Sequence, residues 1–197
     1  SQTDLVRLRS RLSARMRESV PVPLGTAEVG EHHATAEAYV PGITLLRAVE
    51  GAGANAARRT VQRALPIIAH WLADLHEQTC TCAWTEGDAA VAVTGRAAGV
   101  VRLDAASAGS RLALLDETVQ AIAHAGTRLG AAHNQLVPGR VIVRSDGIAV
   151  TGWDRVSFES LPLLDLLSLI HSLGILLLPA RRRSGAEAQH PPHRRGR

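Results

Sequence analysis

Three stretches of this 197-residue chain carry side chains whose types and spacing could do chemistry. Gly51-Ala52-Gly53-Ala54-Asn55-Ala56 fits the relaxed glycine pattern of a dinucleotide-binding turn, where bare backbone approaches a pyrophosphate, and Asp74 follows at the ribose-binding distance. No strand precedes that turn and Asp74 falls within a helical pattern, so the stretch reads as a connector. His76, Cys80 and Cys82 are three zinc-type ligands without a nearby fourth of familiar spacing, and read as ordinary side chains at a helix end. The third stretch, His133 to Asp154, gathers imidazole, amide, guanidinium and carboxylate groups around a short hairpin. Elsewhere His32 and His33 point to opposite faces of a strand, His70 and His76 to different faces of a helix, and His124 and His171 read as core histidines. Ser107, Ser110 and Ser157 lack the glycine-flanked elbow of a hydrolase nucleophile.

Composition narrows the chemistry further. The chain holds 22 arginines and no lysine, which excludes a P-loop lysine, Schiff-base catalysis and a lysine clamp on ATP within these residues. The sequence pI near 10.3 suggests a nucleic-acid binder. That charge, however, lies in residues 181–197, with six arginines and one acid, whereas residues 1–180 hold 16 arginines against 17 acids. With no basic stripe in the body and few aromatic side chains, no nucleic-acid partner is expected. Cys80 and Cys82 are too close for a structural disulfide, and no signal peptide is visible, so a cytoplasmic location is expected. The chain opens on Ser1 rather than methionine, as a processed chain or a piece of a longer one would. The apolar run from Leu161 to Pro179 contains Asp165 and His171. A mid-membrane aspartate costs about 3 kcal/mol, so a buried helix is expected there and no membrane partner.

The elements that must position these groups follow from periodicity. Leu5, Leu8, Leu12 and Met16 predict one amphipathic helix ending before Pro21. Residues 26–29 and 35–40 read as two strands around Gly30, and the glycine- and alanine-rich stretch 43–55 as a connector. Val61, Leu65, Ile68, Leu72 and Leu75 predict a core helix to about Gln78, which Pro66 kinks or starts. Residues 111–128 predict another helix, with Leu112, Leu115, Val119 and Ile122 on one side. Residues 141–143 and 148–150 predict a hairpin across Ser145-Asp146-Gly147, and 180–197 a disordered tail.

The stretch His133-Asn134-Gln135-Leu136-Val137-Pro138-Gly139-Arg140-Val141-Ile142-Val143, followed by Thr151-Gly152-Trp153-Asp154, resembles the catalytic region of the aminoglycoside phosphotransferase and choline-kinase-like family. That family's pattern reads H-G-D-L-H-P-G-N, then a hairpin ending in D-W-E. Glu37-Ala38-Tyr39-Val40-Pro41-Gly42 resembles its lobe linker, Leu72-Ala73-Asp74-Leu75-His76 its large-lobe helix, and Pro162-Leu163-Leu164-Asp165-Leu166 its P-L-x-D-L helix start. The likeness covers residues 1–178. It implies an α+β, kinase-like two-lobed fold: residues 1–42 as an incomplete small lobe, 43–179 as a mainly helical large lobe, and 180–197 as the tail.

Residue by residue, the resemblance implies a framework without its chemistry. The catalytic aspartate falls on Gln135, a neutral amide that can orient a hydroxyl but is no base. The metal-binding asparagine falls on Arg140, which has no lone pair for magnesium, and the second metal-binding aspartate on Gly152. Asp154, on the same strand face as residue 152, is a substitute ligand only after a local slip, and reads first as a structural or surface acid. His133 and Asp165 match the residues that support the loop, and Tyr39 and Val40 fall where the linker would meet a nucleotide. The resemblance thus implies ATP as a ligand and no magnesium. The expectation is a catalytically degenerate, pseudokinase-type protein that binds nucleotide, a small molecule or a partner protein. The alternative is an active ATP-dependent small-molecule phosphotransferase with substituted or upstream residues.

Overall fold

In the computed structural model of the protein, which describes residues 2–80, 82–83, 128–161 and 163–178, the amphipathic start builds two helices rather than one. Helix α1 (Gln2–Arg11) buries Leu5 and Leu8. Ser13 then breaks the pattern, because its hydroxyl accepts from the backbone N–H of Met16 at 3.3 Å and caps a separate short helix, α2 (Ala14–Arg17). Leu12, Met16 and Val20 still reach the same core, so the apolar period survives the break.

Strands β1 (Pro23–Val29) and β2 (His32–Glu37) form an antiparallel hairpin around Gly30, which takes a left-handed φ of 62°. The expected connector at 43–55 is ordered instead. Strand β3 (Ile43–Thr44) leads into helix α3 (Leu45–Glu50), where the Thr44 hydroxyl caps the N–H of Arg47 at 3.2 Å and Leu45 and Val49, four apart, are buried. The glycines that suggested a loop sit at helix ends: Gly51 closes α3 and Gly53 opens the next helix.

Helix α4 (Ala54–Thr79) is the element around which the rest is arranged, packing against α3, β5 and α5, the last two defined below. Val61, Ala64, Ile68, Leu72 and Leu75 form its buried face. Pro66 lies on the exposed side and neither starts nor ends the helix. The fold closes with three antiparallel strands in the order β4 (Cys82–Ala83), β5 (Arg128–Ala132), β8 (Ser157–Ser160), and three in the order β3, β6 (Val141–Arg144), β7 (Gly147–Val150). Helix α5 (Leu164–Leu177) ends the described chain. The helix expected at 111–128 lies outside the described residues except Arg128, which begins β5, and the expected tail at 180–197 lies outside them entirely.

Among the described residues the architecture is mixed α+β, with three small antiparallel sheets. Two polar links fix the layers. Trp71 Nε1 donates to Ser19 Oγ at 2.7 Å, while the Ser19 carbonyl accepts from Val150 N at 2.8 Å, so one residue after α2 joins α4 to β7. Thr79 Oγ1 accepts from Ala131 N at 2.9 Å and fixes the end of α4 to β5. Helix α5 corrects a further expectation: it is not buried all round. Asp165, Leu169 and Leu173 face inward, but Leu167, Ile170 and Ile175 are exposed. A run apolar at nearly every position has no period to say which face turns inward. Among the described residues, no helix is long and apolar enough to cross a membrane.

Candidate functional site

The loop between β5 and β6 is built around a buried carboxylate. Asp165, in the first turn of α5 and 2% exposed, accepts from the backbone N–H of His133 at 2.6 Å and of Asn134 at 2.9 Å. This satisfies two amides that the loop would otherwise bury unpaired. Asn134 takes a left-handed φ of 63°, which asparagine tolerates better than most residues, and its Nδ2 donates to the Arg155 carbonyl and the Ser157 hydroxyl, both at 2.8 Å. Leu163, just before α5, is also left-handed at φ 76°, a conformation costing a branched side chain about 1 kcal/mol or more. Both unusual backbone conformations thus flank the Asp165 contact.

His133 is fully buried and acts as a staple. Its Nε2 lies 2.9 Å from the Thr151 carbonyl and so carries the proton, leaving Nδ1 to accept from Gln135 N at 3.3 Å. The second contact requires a neutral ring, because a protonated Nδ1 cannot accept. Burial pushes the imidazole below its ordinary pKa, against the opposing pull of the Thr151 carbonyl and Asp165, while the nearby Arg140 lowers it further. Trp153, 1% exposed, packs against this ring with centroids 4.8 Å apart and against Trp71 at 6.2 Å.

Around this staple lie the positions that could do chemistry. Gln135 is partly buried, and its side-chain amide makes no hydrogen bond among the described residues. Arg140 is held through its backbone: its N–H reaches the Val137 carbonyl at 2.9 Å, and its carbonyl accepts from Thr151 N at 3.0 Å. Its side chain folds over Gly152, whose φ of 77° is left-handed. A β-carbon built at Gly152 would overlap Arg140 Nη1 and Cζ and lie 2.8 Å from Nε. Asp154 sits beside them, its carboxylate 3.8 Å from Arg140 Nη2 and 3.9 Å from Arg155 Nε.

These residues do not fit magnesium. Residues 135, 140 and 152 offer an amide, a guanidinium without a lone pair and no side chain, and the space beside position 152 is filled by a positive charge. Among the described residues no group of three His, Cys, Asp or Glu side chains could hold a metal ion. Of the other early candidates, His76 is buried, which lowers its pKa, with Asp165 opposing that shift. Cys80 is half-buried, and the Cys82 side chain lies outside the description.

Tyr39 and Val40 lie apart from this cluster. Tyr39 is 84% exposed, and both line an open cleft of about 530 Å³ together with Arg9, Arg17 and Arg144. A second cleft of about 690 Å³ runs between α2 and α4, past Met16, His70, Trp71 and Ile148. Neither cleft is lined by His133, Gln135, Arg140, Gly152 or Asp154. The link between linker and loop is Glu37, whose role sequence reasoning missed. At the end of β2, its two carboxylate oxygens accept from Gly152 N and Trp153 N, each at 2.9 Å. The only sequence signal was an acid two residues before Tyr39, and nothing local announces a partner 115 residues away.

No family model matches the chain, and no curated protein matches it. Among solved structures, the chain is similar to one titled glucosamine kinase, crystal form B, with a TM-score of 0.49 and 18% sequence identity, over 94% of this chain and 54% of that one. The chain therefore spans about half the length of that kinase.

Proposed function

We propose that the chain is a catalytically degenerate protein of the aminoglycoside phosphotransferase and choline-kinase-like type, which binds a nucleotide, a small molecule or a partner protein without transferring phosphate. One observation carries the reading. The loop that would present the reacting groups is fully supported, by Asp165 on the amides of His133 and Asn134 and by His133 on Thr151, yet it presents no carboxylate at residues 135, 140 or 152. A general base contributes about 10²- to 10⁴-fold to such a reaction. A bound cation adds several kcal/mol of charge stabilisation, so a site lacking both has little means of catalysing transfer.

Within this reading, ATP or ADP is the favoured ligand, with Tyr39 and Val40 of the linker as its nearest contacts. Magnesium has no part in holding it. A thermal-shift titration tests this. ATP at 100 times its Kd raises Tm by about 5–10 °C for a chain of this size. Adding magnesium leaves that shift unchanged. No response to ATP, ADP or adenosine at millimolar concentration would remove nucleotide binding from the reading.

A further inference from the structure

We propose that Arg140 takes the place of a divalent cation, making the end of the β6–β7 hairpin a metal-independent site for the phosphate groups of a polyphosphate ligand. The proposal deepens the function proposed above and rests on it for the identity of the site.

The first argument is steric. The guanidinium occupies the volume that any side chain at residue 152 would need, since a β-carbon there would overlap Nη1 and Cζ. A side chain at 152 and the present placement of Arg140 cannot coexist, so the flexible end of the arginine would have to swing away from the hairpin. Glycine at 152 also accepts the left-handed φ of 77° that brings the backbone under the guanidinium. Two substitutions that look like separate losses in sequence thus form one fitted pair.

The second argument concerns charge and donors. The Arg140 side chain is 38% exposed, and no hydrogen bond from its guanidinium is made among the described residues. Its ion pair with Asp154 is long, at 3.8 Å, and Asp154 is shared with Arg155 at 3.9 Å. The other nearby acid, Glu37, keeps both oxygens on the amides of Gly152 and Trp153. The N–H fork of Arg140 is thus left to solvent or to an anion, and a planar fork matches two phosphate oxygens. A magnesium ion brought to the same place would meet a fixed positive charge.

Inorganic pyrophosphate is the probe, measured by calorimetry on the full chain with EDTA present. The wild type binds it without magnesium, and Arg140→Gln weakens binding by about 10- to 100-fold. Arg140→Lys, which keeps the charge but not the fork, falls between them. Both variants keep the wild-type Tm when no anion is present. A coupled measurement checks the steric argument: Gly152→Ala pushes the guanidinium from its place and weakens pyrophosphate binding in the wild type, and weakens it no further in the Arg140→Gln background.

Pyrophosphate binding that is equal in wild type and Arg140→Gln, or that requires magnesium, overturns the proposal. Pyrophosphate binding that Gly152→Ala leaves unchanged in the wild type does the same. Adenosine separates this failure from that of the broader reading. An adenosine response without pyrophosphate binding overturns the arginine site alone, whereas Arg140-dependent pyrophosphate binding without any adenosine response supports the arginine site and counts against a nucleotide.

Discussion

Replacing Asp165 by alanine is expected to lower unfolding free energy by about 2–6 kcal/mol, because each donor left without an acceptor costs about 1–3 kcal/mol and Asp165 serves two. Against a typical total stability of about 5–15 kcal/mol, this is a large fraction, and only at the low end of that range would it unfold much of the population. Asp165→Asn keeps one acceptor oxygen and is expected to lose roughly half as much. Urea denaturation followed by circular dichroism gives both values. A loss below about 1 kcal/mol for Asp165→Ala would mean that the loop satisfies its amides without the carboxylate. The substitution also frees Asn134 from the contact that accompanies its left-handed backbone, so proteolytic cutting between residues 133 and 140 should appear at denaturant concentrations where the wild type resists.

Trp153→Ala is expected to cost about 3–5 kcal/mol, the range for removing a buried indole. Trp153 is 1% exposed, donates from Nε1 to the Val150 carbonyl at 2.7 Å, and lies between the His133 ring and Trp71. Trp153→Phe retains most of the packing and loses the hydrogen bond, for about 1–2 kcal/mol. The order of the two variants is the test, read as the shift in urea midpoint. If phenylalanine proves as damaging as alanine, the Nε1 bond rather than the packed volume governs this position.

What was legible in the chain was whatever is local or periodic. Val61, Ile68, Leu72 and Leu75 repeat on one helix face, and α4 follows them. The hairpin of β6 and β7 forms across Ser145 and Asp146, with Arg144 paired to Gly147. Where a local polar choice competed with the period, the period misled: Ser13 splits the first helix, and the Thr44 cap turns an apparent connector into α3. The nearly uniform apolarity of α5 hid which face turns inward.

The candidate site divides in the same way. The support of His133 and Asp165 followed from a resemblance between ordered motifs, and their contact is direct. The Glu37 bridge and the fit of Arg140 against Gly152 did not, because each joins residues far apart in sequence and is defined by shape. Read singly, glutamine, arginine and glycine at residues 135, 140 and 152 suggest one lost base and two lost metal ligands, as the resemblance implies. Seen in three dimensions, the Arg140 guanidinium fills the space that a side chain at residue 152 would take.

A supported loop without transfer chemistry should show itself in a measurement of ADP release. Concentrated protein with magnesium-ATP and a panel of amino sugars, choline and homoserine should release ADP at the rate of the protein-free control. Acceptor-dependent ADP release above that control would overturn this reading, since it would require a general base, which neither the Gln135 amide nor the Arg140 guanidinium can be.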